Sequence, residues 1–322
     1  MTQNISYTTE EVANILRVSK LTVYDLIKKG ELSAYRVGRQ MRVDASDLES
    51  YKQKTKSKKG AYTPSFSQAG KPIVADQPSS SGVQSIIISG QDMALDLLAS
   101  QLEKQTGQLR ALRSYQGSLN SLVSLYRGEA HIVSTHLFDG DSGIYNVPYV
   151  QRILTGRPYL IVHMMARQAG LYVAKGNPLQ LRTWADLQKS GVRIVNREAG
   201  SGARVLLDEQ LRLHQLDPSR LYGYFDHVEH SHLAVATAVA RGSADVGIGI
   251  EKAARIVDVE FIPLIKEHYD LVMLVTEESH YWVNSLLKLL QSEAFKQELQ
   301  AIGGYDVTLT GQTKLKGPIH SW

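Results

Sequence analysis

Between residues 52 and 83 the chain loses all apolar periodicity. The stretch KQKTKSKKGAYTPSFSQAGKPIVADQPSSSGV is rich in Lys, Ser, Gly and Pro, a composition that behaves as a flexible tether. Such a break rules out a single hydrophobic core running through all 322 residues. It predicts a small module over residues 1–51 and a larger body over 84–322, each burying its own core. Charge divides at the same place. Residues 1–60 hold 12 Lys/Arg against 7 Asp/Glu, and the remaining residues hold 24 against 25. The positive excess therefore belongs to the first fifth of the protein and points to an anionic partner there. The linker lysines Lys52, Lys54, Lys56, Lys58 and Lys59 either lie along phosphates or are simply solvated.

Other classes are excluded early. The chain has no cysteine, so disulfides, thiolate-zinc sites and cysteine nucleophiles are absent. No run approaches the roughly 18 apolar residues of a membrane span. The start, MTQNISYTTEEV, is polar and then acidic rather than signal-like. The expected location is the cytoplasm.

The small module reads as helix, turn, helix, β-hairpin, helix. Thr8 and Glu11 form a capping box ahead of a helix whose inward face is Val12, Ala13, Ile15 and Leu16. Ser19 caps a second helix with Val23, Leu26 and Ile27 as its buried stripe, and Gly30 ends it. Leu32–Val37 and Met41–Val43 alternate as strands around the tip Gly38-Arg39-Gln40, and Asp44 caps a last helix bearing Leu48 and Tyr51. The run YTTEEVANILRVSKLTVYDLIKKGEL, followed by YRVGRQMRV and DLESY, resembles the winged helix-turn-helix of the excisionase and MerR-like DNA-binding family. That resemblance implies a second helix in the major groove and a wing on backbone or minor groove. The residues expected to face double-stranded DNA are Ser19, Lys20, Thr22, Tyr24 and Lys28 from the helix, with Arg36, Arg39, Gln40 and Arg42 from the hairpin.

The body alternates strand-like and helix-like runs. Val83–Ser89, Leu109–Tyr115 and Ala130–Thr135 read as strands around helices at Asp92–Lys104 and Ser118–Tyr126. The pattern resumes with Arg193–Asn196, helices Ser201–His214 and His232–Arg241, and the strand Ala244–Ile250. A strand-rich run, Phe261–Val275, and two helical segments follow. This argues for α/β structure in two lobes joined by crossing strands, one of about 84–165 plus 272–322 and one of about 168–265. Several strand-to-helix turns in both lobes suit a small anion. Gly200 and Gly202 free the backbone around Ser201, and similar turns occur at Ser89-Gly90-Gln91-Asp92 and Gly117-Ser118. Thr135 and His136 end the third strand and face the same crevice, where open α/β sheets bind ligands.

The stretches HLFDGDSGIYNVPYV, RQAGLYVAKGNP, VNREAGSGARVLLDEQL, SHLAVATAVARGSADVGIGIE and FIPLIKEHYDLVM resemble the type II periplasmic-binding-protein fold. They are similar in particular to the cytoplasmic form fused to helix-turn-helix modules and to molybdopterin-biosynthesis proteins. The resemblance implies two lobes closing on a small ligand, with molybdate or tungstate as the usual effector. The positions matching an oxyanion lining are Ser89, Ser118, Ser201, the region of His232, and Tyr269. Asp92, His136, Arg204 and His232 depart from a neutral lining and keep phosphate-like and organic anions open. Asp92 is equally readable as a helix cap, and Arg204 as a partner of Asp208 at i+4.

The expected fold is thus α/β, a winged helix-turn-helix followed by a two-lobed type II periplasmic-binding-protein fold. The expected function is a ligand-responsive transcriptional regulator, a dimer or higher homo-oligomer on two-fold operators, without a cofactor. The alternatives are a molybdenum-cofactor-related enzyme and an oxyanion-binding protein whose first module binds protein. No Ser-His-Asp order or phosphate loop appears. His227, His230 and His232 have the spacing of a metal cluster but lie in a connecting segment, and no metal is expected. Asp139-Gly140-Asp141-Ser142-Gly143 lacks the later Glu of a calcium loop and reads as a turn.

Overall fold

The computed structural model describes residues 6–16, 23, 26–27, 32–37, 40–48, 51 and 83–317, with backbone alone at Asn14, Arg36, Val37 and Gln40. Residues 52–82 of the expected linker lie outside this set, as do Ser19, Lys20, Thr22, Tyr24, Lys28 and Arg39. The chain divides into two units, Met1–Gly70 and Lys71–Trp322.

In the first unit, β1 (Ser6–Thr8) leads directly into α1 (Thr9–Leu16). The capping box forms reciprocally: the Thr8 N–H donates to Glu11 Oε2 at 2.8 Å, and the Glu11 N–H donates to Thr8 Oγ1 at 3.3 Å. The hairpin of β2 (Tyr35–Val37) and β3 (Gln40–Asp44) pairs Val37 with Gln40, so its tip is one residue shorter than the sequence suggests. β1 was not expected; it pairs antiparallel with β3, giving the order β1-β3-β2. Residues 45–48 are helical. Val12, Ala13, Val23, Leu32, Val43 and Leu48 form the buried core, with Leu16, Leu26, Ile27 and Tyr51 packed against it. Ile15 does not join them and stays 41% exposed. A helix this short buries one stripe, and Val12 and Leu16, four residues apart, already occupy it.

In the second unit, β4 (Gln84–Ser89), α2 (Ala94–Thr106), β5 (Leu109–Ser114), α3 (Ser118–Arg127) and β6 (Ile132–Thr135) build the expected βαβαβ core of the first lobe. A small hairpin, β7 (Phe138–Asp139) and β8 (Ile144–Tyr145), and α4 (Val147–Ile153) follow. The loop 139–143 is a turn, closed by the Gly143 N–H on the Asp139 carbonyl at 2.8 Å. Next comes β9 (Tyr159–Val173), a single strand of 15 residues. The lobe boundary read near residues 165–168 therefore falls inside one strand, whose apolar run continues through Arg167 and Gln168. The second lobe holds β10 (Ile194–Arg197), α5 (Gly202–Leu213), β11 (Val228–Glu229), α6 (His232–Ala240), β12 (Val246–Ile250) and α7 (Glu251–Val257). The chain returns along β13 (Glu260–Leu274), then α8 (His280–Gln291), α9 (Glu293–Ile302) and β14 (Thr313–Lys316).

Apart from the β7–β8 hairpin, the described strands of this unit form one nine-stranded sheet, ordered β11-β10-β12-β9-β13-β6-β4-β5, with β14 beside β9. Pairings inside each lobe (β4 with β5 and β6, β10 with β11 and β12) are parallel. The central β9–β13 pair is antiparallel and runs through both lobes, from Tyr159↔Leu274 to Val173↔Glu260. Helices cover both faces, as parallel strands require. Leu95, Leu98, Leu286 and Leu290 pack on one face of the first lobe, and Leu122, Leu125, Val150 and Leu154 on the other. Leu206, Leu207 and Leu211 cover one face of the second lobe, opposite Val235, Val239 and Ala253. Each such leucine or valine, fully buried, contributes about 1.5–3 kcal/mol.

Candidate functional sites

The first unit offers a hairpin with Arg36, Gln40 and Arg42 on its strands. Arg42 is half-buried, its Nη1 donating to the Ser6 carbonyl at 3.4 Å and to Ser6 Oγ at 3.3 Å. That contact ties β3 to β1, so Arg42 serves the wing's own structure.

The second unit holds a cavity of about 300 Å³ where the two long strands cross. Five of the residues expected from sequence line it: Gln91, Asp92, His136, His232 and Tyr269. Arg167, Lys252, Ser231 and Tyr305 join them, and Met93, Leu233, Ile250, Ala253 and Ile256 form an apolar wall. At its base Arg167, from the middle of β9, is buried between two buried carboxylates. It pairs with Asp92 Oδ2 and, at 2.6 Å, with Glu267 Oε1, and its guanidinium lies 4.7 Å above the Tyr269 ring. Burial works against the Arg167 charge, but Glu267 and Asp92 outweigh it and hold its pKa above the ordinary value. Asp92 is both cap and site residue. Its Oδ1 accepts the Ala94 N–H at 2.8 Å and the Tyr305 hydroxyl at 2.7 Å, while Oδ2 faces Arg167. Burial raises the Glu267 pKa, and its Oε2 has no hydrogen-bond partner.

Two histidines close the opposite side. His136 stacks on Tyr269 at 5.3 Å between ring centroids, and its Nδ1 lies 3.0 Å from Ser118 Oγ. A Cβ on Gly202 would sit 2.0 Å from His136 Cδ2, so only glycine lets α5 begin here. The His232 Nδ1 is buried without a partner. Burial, reinforced by Arg167 and Arg197, pushes both histidines well below the usual imidazole value, so both are neutral.

The hydroxyls expected to cradle an anion are engaged elsewhere. Ser89 Oγ bonds Ser121 Oγ at 2.9 Å, and Ser118 Oγ bonds His136. Ser201 Oγ donates to the Glu198 carbonyl at 2.9 Å and accepts the Arg204 N–H at 3.3 Å. The starts of α3 and α5 meet directly: the Leu119 N–H donates to the Gly200 carbonyl at 3.0 Å, and a Cβ on Gly117 would lie 3.1 Å from Ser201 Cα. Thr135 is fully buried, with Oγ1 unpartnered, and does not line the cavity. Arg204 does not line it either; its Nε bonds Asp208 Oδ1 at 2.8 Å and its guanidinium covers the Tyr224 ring at 4.4 Å. The i+4 pairing thus takes the Arg204 charge. Gln91 instead bridges the lobes, accepting from Arg197 Nη2 at 2.6 Å and donating to Glu198 Oε1 at 3.1 Å. Among the described residues no cluster of three or more His, Cys, Asp or Glu side chains is placed to hold a metal.

Sequence reasoning missed Arg167, Lys252, Tyr305 and Glu267. Arg167 carried a signal, since a charge inside an apolar strand must find partners. Tyr305 carried none, because it reaches Asp92 across 213 residues.

Residues 99–291 match the PBP superfamily domain, and residues 6–56 match a helix-turn-helix domain. The Bacillus subtilis (strain 168) protein YvgK is 48% identical over 316 residues, covering 98% of this chain and 100% of its own. The chain belongs to the PBP superfamily, with an excisionase-like helix-turn-helix domain at its N-terminus. A Clostridium pasteurianum protein from the 5′ region of a 2Fe-2S ferredoxin gene is 43% identical over 109 residues, 34% of this chain and 96% of its own. Two solved structures share the fold of this PBP-domain protein. One, from Clostridium perfringens, is described as a putative phosphate ABC transporter substrate-binding protein with bound phosphate; it has a TM-score of 0.51 and 14% identity, covering 69% of this chain and 99% of its own. The other, an OxyR mutant from Corynebacterium glutamicum with bound H2O2, has a TM-score of 0.50 and 11% identity, covering 92% and 89%. At these identities they establish the type II periplasmic-binding-protein fold. Both domains resemble binding modules rather than catalytic families.

Proposed function

We propose that this protein is a one-component transcriptional regulator of the cytoplasm, in which a small ligand in the second unit controls DNA binding by the first. The observation that carries this reading is the pairing, on one chain, of a helix-turn-helix domain with a binding-protein cavity. The cavity presents a buried imidazole nitrogen without a partner, the kind of group a ligand satisfies on binding. Ligand and DNA affinities are then linked through whichever arrangement of the lobes each prefers. Two copies on a two-fold operator supply the base contacts that one small module lacks. Molybdate and tungstate, implied by the sequence resemblance, are the first effectors to screen.

The direct test is an electrophoretic shift of the intact protein on its own upstream DNA at low salt. Binding is expected, with loss on the double change Lys20→Ala and Arg39→Ala. No affinity for that DNA would sink the regulator reading, and light scattering of the complex checks the dimer.

A further inference from the structure

The chemistry around the cavity restricts what occupies it. Its charged groups balance: the cations Arg167 and Lys252 stand against the carboxylates Asp92 and Glu267. A tetrahedral dianion would add two negative charges to a site where both carboxylates are buried, a costly arrangement at low dielectric. The serine hydroxyls that would compensate are bonded to protein partners, and the α3 and α5 starts face each other through the Leu119 N–H on the Gly200 carbonyl. Size argues the same way. At about 30 Å³ per water, 300 Å³ holds roughly ten waters, several times what a four-oxygen anion displaces. It is the scale of a small organic ligand. The mouth carries three large apolar side chains, Met93 at 51%, Leu233 at 45% and Ile256 at 64% exposure. An inorganic ion would make no use of them, whereas a hydrocarbon or ring would remove them from water.

Resting on the regulator reading above, we infer that the effector is a small organic acid bearing one negative charge. Its carboxylate sits among Arg167, Lys252 and the free His232 nitrogen, and its apolar body lies against Met93, Leu233 and Ile256. A single charge adds half the electrostatic load of a dianion to this balanced site, and the cavity turns the cations Arg167 and Lys252 towards it.

The test uses the full-length chain, thermal unfolding and calorimetry, with sodium benzoate and 4-methylpentanoate as probes beside molybdate, tungstate, sulfate and phosphate. Both monocarboxylates are expected to raise Tm with concentration, and the four dianions to leave it unchanged. The exposed changes Leu233→Glu and Ile256→Glu should weaken benzoate by about tenfold or more, equivalent to losing about two buried methylenes, without lowering the ligand-free Tm. A Tm rise with molybdate or tungstate that His232→Ala abolishes would overturn the organic-acid assignment and leave the regulator reading standing. No response to either monocarboxylate would also overturn the assignment. If in addition none of the six probes changes DNA binding, the ligand-responsive reading fails with it.

Discussion

At the scale of single residues, the cavity is organised by Arg167. A guanidinium this deep is stable only because Asp92 and Glu267 supply opposite charge with good geometry. Arg167→Ala would leave two buried carboxylates facing each other. The expected cost is about 3–5 kcal/mol, read as a lowered urea midpoint of the second unit. The histidines give a pH dependence of known sign. His136 and His232 have folded pKa values depressed below 6.5, so the unfolded chain binds protons that the folded chain refuses. Their stabilising contribution is complete above pH 6.5 and is lost as the pH falls from there towards the folded values. Denaturation between pH 7 and 5 should therefore show falling stability, and the double change His136→Gln and His232→Gln should flatten that slope. An unchanged slope would place the effect elsewhere.

At the scale of elements, the β9–β13 pair decides most of the architecture. It is shared by both lobes, and its regular ladder is broken between Pro263 and Ile265 and between Tyr269 and Asp270. The second break lies beside the cavity, where Tyr269 turns towards His136 and Arg167. Opposite the first, Gly170 allows the two backbones to approach; a Cβ there would lie 2.0 Å from the Ile262 carbonyl oxygen. Gly170→Ala should cost about 1–3 kcal/mol through overpacking, measurable as a drop in Tm. The sequence marked most neighbouring elements correctly, because their apolar periods and caps are local. It missed β9 as one strand because the polar pair Arg167-Gln168 interrupts the run, and it missed β1 because three residues carry no period. Across the cleft, Gln91 holds Arg197 and Glu198 of the opposite lobe. Gln91→Ala should populate more open lobes and increase the radius of gyration in solution scattering. An identical scattering curve would show that closure rests on the other contacts between the lobes, such as Leu119 with Gly200 and Gly140 with Glu209.

At the scale of the whole molecule, the chain places its positive excess on the helix-turn-helix end and leaves the ligand-binding body near neutrality. That division suits a protein whose first unit meets a phosphate polymer and whose second binds one small molecule. DNA affinity should fall steeply with salt. Removing one phosphate contact, by Lys20→Ala or Arg39→Ala, should reduce the slope of log K against log salt by about 0.9. A slope unchanged in both variants would show that these side chains do not touch phosphates.

The sequence by itself determined the two-unit organisation, the helix-turn-helix pattern, the alternating α/β order and five of the cavity residues, since all of these are written in local periods, caps and strand ends. Only the tertiary structure decided which groups meet. It turned the starts of α3 and α5 onto each other instead of onto a ligand, and brought Arg167, Glu267 and Tyr305 together with Asp92 from remote parts of the chain. The physical reason is that a buried charge must find its partner wherever the fold supplies one, and sequence spacing holds no information about contacts made across crossing strands.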